Sequence, residues 1–319
     1  MTSEFLSLCQ FYALNYSQSL KKSRFSLVPI GRREFLIRNA YGKSTVQLFF
    51  QLNKKLGVSH LIECGANDAS VSRRFLSEEE GRSALAVEAN PFVFANFLNM
   101  NSTFPKLEYK QVGLSNRKGT TDFFIPNVTD KSQSIFGSFQ KLPEFYTDYT
   151  STRVELNTLD SLQKASEIVS RSAMWVDVEG EAYKVFTGAK KLLASSQVKL
   201  IYCEVQESVH YESEKCAIEI TEYLGRFGFI PIARDFPLAN LYNMMFIHKE
   251  SLKEVLPWLN VYWSSLSNIH APVIEIRVPV DFFSRVKNKI LVFTPKPLEI
   301  LAHRLFSLAG SKSSKKMLN

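Results

Sequence analysis

The stretch HLIECGANDAS, residues 60–70, decides the fold, because an apolar run ends in an acidic residue and a glycine before a segment that can begin a helix. A strand, a glycine turn and a helix in this order are typical of the first unit of an open α/β sheet. Glu63 would end the strand, and Gly65 would make the turn, where the missing Cβ lets the backbone approach a ligand closely. The amides at the start of the helix would face an anionic group of that ligand. The alternative is an ordinary strand-to-helix turn with Asn67 or Asp68 as the helix cap.

The rest of the chain repeats this alternation of short apolar runs and longer helical stretches, which predicts a mostly parallel, doubly wound α/β sheet with helices on both faces. We predict strands near residues 60–64, 84–88, 108–112, 121–125, 152–156, 173–178, 198–205, 228–233 and 243–248. Apolar residues recur with a helical period between Glu212 and Phe227, which predicts a helix closing on Gly228. The short connection between the last two strands permits an antiparallel hairpin and is too short for a crossover.

Composition divides the chain into three segments, and we expect an N-terminal helical extension, a central domain and a basic C-terminal extension at residues 1–59, 60–250 and 251–319. A helix is predicted over residues 44–56. Leucines recur on one face of residues 297–308, ahead of the lysine-rich segment SKSSKK. This stripe predicts a helix that packs on its own domain; an interfacial helix in peripheral contact with a membrane is the alternative.

Charge is distributed unevenly along the chain, whose formal net charge is +8. Residues 1–59 carry nine basic and two acidic side chains, residues 60–250 carry 20 and 25, and residues 251–319 carry ten and four. The centre is therefore mildly acidic and the flanks are basic. This distribution argues against a long polyanion crossing the central domain, and it leaves the flanks available to an acidic partner.

Several classes of protein are disfavoured by what the sequence does not contain. The four cysteines, at positions 9, 64, 203 and 216, form no C-x-x-C pair, so we expect neither a disulfide framework nor a zinc site. There is no uninterrupted apolar stretch of the roughly 18 residues that a spanning helix needs. The start of the chain also lacks the pattern of a secretory signal peptide. We expect a soluble, cytoplasmic protein.

A second carboxylate follows the next predicted strand, where A-V-E-A-N-P, residues 86–91, places Glu88 25 residues after Glu63. A carboxylate at this position can accept hydrogen bonds from the vicinal hydroxyls of a ribose. The alternative is a solvated strand end before a helix that starts at Pro91. The chain has neither G-x-G-x-x-G nor a P-loop motif, so a ligand with a ribose and an amino-acid tail but no phosphate fits better than a dinucleotide.

The third element is WVDVEGEAYKVFTGAKKLL, residues 175–193, in which an apolar strand ends at Asp177 and Glu179 precedes a helix. Open α/β sheets bind their ligands outside the carboxyl ends of the strands, so Asp177 would stand at the reaction site. It could accept a proton from a hydroxyl or hold the substrate there. Capping of the following helix by Asp177 or Glu179 is the alternative.

With these segments in place, the chain resembles the FkbM-type methyltransferase family. The resemblance covers about residues 60–205 and rests on I-E-C-G-A-N-D (62–68), A-V-E-A-N-P (86–91), Y-K-Q-V-G-L-S-N (109–116), N-T-L-D-S-L (157–162) and D-V-E-G-E-A-Y-K-V-F-T-G-A (177–189). It implies a seven-stranded methyltransferase fold, S-adenosylmethionine as the methyl donor, and O-methylation of a sugar, a polyketide or a related metabolite.

The resemblance also implies roles for individual residues. Glu63 and Gly65 would lie beside the methionine portion of the donor, with Asn67 in the same loop. Glu88 would bind the ribose, and Val112 and Gly113 would lie beside the adenine. Asp177 and Glu179 would face the reaction site, Glu179 on the substrate side. The chain departs from the family's pattern at Ala69, where a glycine is common.

Methylation of an aliphatic hydroxyl needs a base, because a neutral hydroxyl is a poor nucleophile. Asp177 is our first candidate. Glu204, at the end of the apolar run VKLIYCEV, and His210, in the loop that follows, are further candidates at the same edge of the sheet. Glu179 and Glu204 could converge in space, but no clear metal pattern surrounds Asp177, so we expect no metal site; a Mg²⁺ ion here is the alternative.

The sequence therefore predicts an S-adenosylmethionine-dependent O-methyltransferase that acts on a hydroxyl of a sugar, glycan or small metabolite. Two alternatives stay open: a nucleic-acid methyltransferase, suggested by the basic flanks, and a binding protein that keeps the fold without turnover. The loop at residues 126–150 has no clear period, and loops of this length often form lids or binding elements. This loop and the flanks would form the acceptor's side of the site, so neither the acceptor nor the oligomeric state can be read from the sequence.

Overall fold

The computed structural model of the protein describes residues 45–127, 136–141, 147–163, 171–206, 215–235 and 241–266. The strands are β1 (His60–Cys64), β2 (Ser83–Glu88), β3 (Leu107–Gln111), β4 (Gly113–Leu114), β5 (Gly119–Pro126), β6 (Tyr149–Asn157), β7 (Ser172–Val176), β8 (Val198–Gln206), β9 (Phe229–Arg234) and β10 (Leu241–His248). The helices are α1 (45–55), α2 (Ser70–Glu78), α3 (Pro91–Asn101), α4 (Leu159–Leu162), α5 (Ala182–Thr187), α6 (Lys190–Ala194), α7 (Ala217–Gly225) and α8 (Leu252–Leu266), with a 3-10 turn at Lys249–Ser251.

Seven strands form the main sheet in the order β3-β2-β1-β7-β8-β10-β9. The neighbours from β3 to β8 pair in parallel, and β10 runs antiparallel to both β8 and β9. The predicted mostly parallel, doubly wound α/β sheet with a C-terminal antiparallel hairpin is confirmed. The chain order reverses between β1 and β7, and a ligand crevice is expected outside the carboxyl ends of strands at such a switch point.

The sheet has an apolar core on each face, which explains why its strands read as continuous apolar runs. On one face, α5, α6 and α7 pack over the central strands. On the other face, the predicted N-terminal helix is confirmed as α1, whose Phe49 contacts the rings of Trp175 and Tyr202 edge-on at centroid distances of 5.3 and 5.8 Å. Apolar residues of α8 join the same cluster. Both flanking helices thus share the core of the central sheet.

The three other strands form a separate sheet in the order β4-β6-β5. β6 pairs with β4 in parallel and with β5 in antiparallel fashion. The predicted strands near 121–125 and 152–156 therefore exist, but they lie beside the main sheet rather than in it. This small sheet begins two residues after β3 ends, so it lies next to the carboxyl ends of the main strands.

The closing hairpin is fixed by a buried carboxylate. Asp235, at the end of β9, accepts hydrogen bonds from the backbone and side-chain nitrogens of Asn243 at 2.7 and 2.9 Å. The Tyr202 hydroxyl donates to the same carboxylate at 3.2 Å, which ties the hairpin to β8. Within the residues described, no helix combines the length and apolar character that a bilayer span requires.

Candidate active site

The glycine turn after β1 is held between the two neighbouring strands. The backbone amides of Gly65 and Ala66 both donate to the carbonyl of Val87 at 2.9 Å, and the amide of Asp177 donates to the carbonyl of Cys64 at 2.9 Å. Gly65 has φ +75°, and a Cβ at this position would lie 1.7 Å from the carbonyl oxygen of Asp177. The end of β7 therefore requires glycine here, in addition to the close ligand approach that the sequence predicts.

The start of α2 is closed by protein carboxylates. Glu63 is 2% exposed, and its Oε2 accepts from the amide of Ser72 at 2.9 Å. The amide of Ser70 donates to Oδ1 of Asp68 at 2.9 Å. Burial raises the pKa of Glu63 to about 8. Two amides at the start of α2 are therefore bound by protein carboxylates, and contact of this helix start with an anionic group of a ligand stays a prediction.

Glu88, the last residue of β2, binds the turn that follows β1. The residue is 8% exposed, and its carboxylate accepts from the amides of Asn67 and Asn90, both at 2.7 Å. Burial raises the pKa of Glu88, against the opposing effect of these hydrogen bonds. The residue is therefore not a solvated strand end. A carboxylate has about four lone-pair sites, so Glu88 keeps capacity for hydroxyl donors from a ligand.

Tyr109 completes this arrangement and was not predicted as a site residue. Its hydroxyl donates to the carbonyl of Asn67, and its ring stacks on Phe94 with a centroid distance of 4.7 Å. Asn67 has φ +47°, in the left-handed region, and is thus bound at its amide by Glu88 and at its carbonyl by Tyr109. The only sequence signal for Tyr109 was an aromatic residue within the alternating pattern of β3. Many core residues show the same signal, so it does not identify a site residue.

Ala69 takes up the left-handed backbone conformation that explains a glycine at this position in the family. Its φ is +58°, and the residue is fully buried. Its methyl group belongs to a small apolar cluster with Ala66 and Ala86 beneath the turn. A side chain at this φ costs about 1–2 kcal/mol relative to glycine, and burial of the methyl group offsets part of that cost.

The predicted adenine-side residues lie at the carboxyl end of β3, next to the small sheet. The amide of Val112 donates to the carbonyl of Glu88 at 3.0 Å, and Val112 is buried. A Cβ on Gly113 would lie 2.6 Å from Cζ of Phe139. Phe139 belongs to the described part, residues 136–141, of the loop that was predicted to border the site.

The same loop segment also contacts the residues that follow β7. Ser138 pairs with Phe124 of β5 through reciprocal backbone hydrogen bonds of 2.8 and 3.0 Å. Its hydroxyl donates to the carbonyl of Glu179 at 3.1 Å, and the side-chain amide of Gln140 donates to Glu181 at 3.3 Å. The segment 136–141 therefore connects the Val112–Gly113 region with the residues that follow β7.

Three carboxylates meet at the carboxyl ends of β7 and β8. One oxygen each of Asp177, Glu179 and Glu204 lies within 4.8 Å of the other two. Burial raises the pKa of Asp177 to about 6. The N-cap of α5 is Glu181, so neither Asp177 nor Glu179 caps this helix. The convergence of Glu179 and Glu204 that the sequence allowed is thus present.

A small cleft adjoins this acidic cluster. Its lining includes Glu179, Gly180, Glu204, Gln206 and Lys215. Gln206 was not predicted as a site residue, although it stands two positions after Glu204 on the same strand and therefore on the same face. The predicted candidate His210 lies outside the described residues.

Comparison with known proteins places these motifs in one family. A sequence model of the family described as "Methyltransferase FkbM domain" matches residues 63–231, more than half of the chain. A curated relative, the 2-O-methyltransferase NoeI of Sinorhizobium fredii (strain NBRC 101917 / NGR234), is 25% identical over 178 residues, which cover 53% of this chain and 72% of NoeI.

Two solved structures show partial similarity in fold. Magnesium protoporphyrin IX methyltransferase from Synechocystis PCC 6803 with bound SAM has a TM-score of 0.37 at 7% identity, covering 78% of this chain and 98% of that chain. An rRNA methylase from Streptococcus thermophilus also has a TM-score of 0.37, at 8% identity, covering 64% and 96%.

Proposed function

The chain belongs to the FkbM methyltransferase family and is an S-adenosylmethionine-dependent methyltransferase, and we propose that its acceptor is a hydroxyl group of a sugar, glycan or small metabolite. The observation that carries this proposal is the position of Asp177, whose backbone follows β7 beside the glycine turn and whose carboxylate joins those of Glu179 and Glu204. A base in this position can take the proton of an acceptor hydroxyl.

The described residues fit the cofactor. Glu88 ends β2 and keeps lone pairs for the two ribose hydroxyls, and Val112 and Gly113, whose region is joined to Glu88 by the Val112 amide, would lie beside the adenine. The amides of Ser70 and Ser72 donate to the carboxylates of Asp68 and Glu63, which leaves fewer amides here for a pyrophosphate. A nucleoside with a cationic amino-acid tail suits these acidic surroundings, and a dinucleotide does not.

When bound, S-adenosylmethionine supplies an electrophilic methyl group. The protein's part is to exclude water, to hold the acceptor oxygen in line with that group and to receive the acceptor's proton. We assign Asp177 as the group that receives the proton of the acceptor hydroxyl. Glu179 would contact the acceptor, and Glu204 is a neighbouring carboxylate. An aliphatic hydroxyl then becomes a competent nucleophile as its proton leaves.

The charge of the cleft favours a neutral acceptor over nucleic acid. Asp177, Glu179 and Glu204 stand together, and residues 60–250 carry 25 acidic side chains against 20 basic ones. A polyphosphate backbone would be repelled from such a surface. The name of the relative NoeI adds that a 2-hydroxyl is the first position to test.

The direct experiment is transfer of a radiolabelled methyl group from S-adenosylmethionine to a panel of glycosides, each paired with its 2-deoxy analogue. We expect labelled ether product from at least one glycoside and none from its 2-deoxy partner. Asp177→Asn should lower kcat by about 10²–10⁴-fold, the usual contribution of a general base, without a comparable loss of cofactor affinity.

Glu80→Gln is the matched control, because Glu80 is exposed in the turn before β2, at the opposite edge of the sheet. Its activity should equal that of the unmodified chain. Labelling of an amine or of RNA in place of a hydroxyl would overturn the proposal. An Asp177→Asn variant with full kcat would refute the role of Asp177 as the base.

A further inference from the structure

The acidic cluster of Asp177, Glu179 and Glu204 concentrates negative charge at the mouth of the cleft. Their oxygens lie within 4.8 Å of one another, a separation at which carboxylates repel strongly in a partly desolvated site.

Gln206 adds an independent observation on the same face of β8. The residue is 9% exposed, and among the described residues no donor reaches its Oε1, which is buried. Gln206 follows Glu204 by two residues, so both side chains project from the same face of the strand, and both line the cleft. A buried amide oxygen without a donor calls for a ligand of positive character.

We propose that Asp177, Glu179, Glu204 and the amide oxygen of Gln206 form a site for a hard divalent cation of the Mg²⁺, Ca²⁺ or Mn²⁺ class. Carboxylate and amide oxygens are the ligands that these ions prefer. Opposite ligands lie about 4–5 Å apart around such ions, which matches the spread of the three carboxylates. The proposal replaces our sequence-based expectation of no metal site.

The cation would also act on the acceptor, and this part rests on the proposed function. Four protein oxygens leave coordination positions free on the solvent side, where an acceptor hydroxyl or a vicinal pair of hydroxyls can bind. Coordination makes a hydroxyl more acidic and fixes the oxygen's position. Asp177 has two oxygens, so one can face the cation while the other receives the hydroxyl proton.

The test is titration of the full chain with MnCl₂, followed by electron paramagnetic resonance of the free ion and by competition with MgCl₂ and CaCl₂. We expect one saturable site per chain that both competing ions can empty. Glu204→Gln should weaken Mn²⁺ binding by about tenfold or more, because a charged ligand is lost. Gln206→Met keeps the charge and the size, and it should weaken binding by a smaller factor.

Glu80→Gln removes the same charge far from the cleft and should bind Mn²⁺ as the unmodified chain does. Circular dichroism of each variant establishes whether it is folded. If Glu204→Gln does not fold, the Mn²⁺ affinity of Gln206→Met, which leaves every carboxylate in place, still tests the site. The proposal is overturned if no saturable Mn²⁺ site exists. It is also overturned if the folded variants Glu204→Gln and Gln206→Met both bind Mn²⁺ as tightly as the unmodified chain does.

Failure of this proposal can be distinguished from failure of the proposed function. Full methyl transfer to a glycoside in EDTA, with no Mn²⁺ site, would refute the cation and leave the hydroxyl acceptor standing. A Mn²⁺ site in a chain that methylates no hydroxyl would support the cation and refute the acceptor.

Discussion

The backbone amide of Asn67 donates a 2.7 Å hydrogen bond to Oε2 of Glu88, so the carboxylate at the end of β2 also holds the turn that follows β1. Cofactor recognition and turn geometry are therefore coupled at one side chain. A change at Glu88 alters the ligand contact and the loop together, and changes elsewhere in the turn reach the cofactor through Asn67.

Replacement of Glu88 by alanine should weaken binding of S-adenosylmethionine by about 1–3 kcal/mol, because charge-assisted hydrogen bonds to the ribose are lost and the Asn67 amide is released. Isothermal titration calorimetry of the purified chain measures the difference. Glu80→Gln, at the other edge of the sheet, should leave the affinity unchanged. An unaltered affinity in Glu88→Ala would remove this residue from the cofactor site.

Tyr109→Phe should weaken cofactor binding by about 0.5–1.5 kcal/mol through loss of the hydrogen bond to the Asn67 carbonyl, while the ring remains stacked on Phe94. Calorimetric titration is again the measurement. Tyr223→Phe serves as the control, because that hydroxyl lies on α7 and donates a long 3.4 Å bond to Phe186. Equal affinities of the two variants would contradict a role for Tyr109 in the turn.

Two glycines with left-handed backbones allow two destabilising effects of an alanine substitution to be measured separately: the strain of a positive φ and the steric clash of the added Cβ. A Cβ on Gly57, at φ +61°, would meet nothing within 4 Å, whereas one on Gly65, at φ +75°, would meet the Asp177 carbonyl at 1.7 Å. Gly57→Ala should cost about 1–2 kcal/mol of unfolding free energy. Gly65→Ala should cost more than about 4 kcal/mol, because the backbone of β7 must also move.

Urea unfolding of both alanine variants measures this difference. Similar losses would mean that the junction of the turn with β7 is loose, and that Gly65 is required for the ligand alone.

Glu63 should make stability depend on pH. Burial raises its pKa to about 8 in the folded chain, above its ordinary value of 4.5, so the folded state holds a proton that the unfolded state releases. The stabilising effect of this proton is complete below pH 4.5 and is lost as the pH rises towards and through 8. Inside this window the contribution falls by up to about 1.4 kcal/mol per pH unit.

Glu63→Gln removes this titration and keeps the size of the side chain. Urea unfolding of both proteins between pH 5 and pH 9 should show that the unmodified chain loses stability relative to the variant as the pH rises. Parallel pH profiles would mean that Glu63 is ionised in the folded protein at neutral pH.

Much of the fold followed from local patterns. The apolar run before Glu63, the run before Glu88 and the run before Asp177 each predicted a parallel strand, because strands buried on both faces must be apolar throughout. Since such strands end at one edge of the sheet, the sequence also placed these three acidic residues on the same side of the molecule. The membership of β5 and β6 in a second sheet was not predicted, because alternation within a strand does not identify its partner.

The sequence by itself thus determined the order of strands and helices, the glycine turn and the acidic residues at the strand ends, since each depends on residues that are neighbours in the chain. The tertiary structure alone decided which of those groups touch. It turned Glu63 onto the amide of Ser72 in α2, bound Asn67 between Glu88 and Tyr109, and set Gly65 against Asp177. It also brought Glu204 and Gln206 to the cleft beside Asp177 and Glu179. These contacts join residues that are far apart in the chain, and their geometry depends on how the strands pair and pack, which no local pattern encodes.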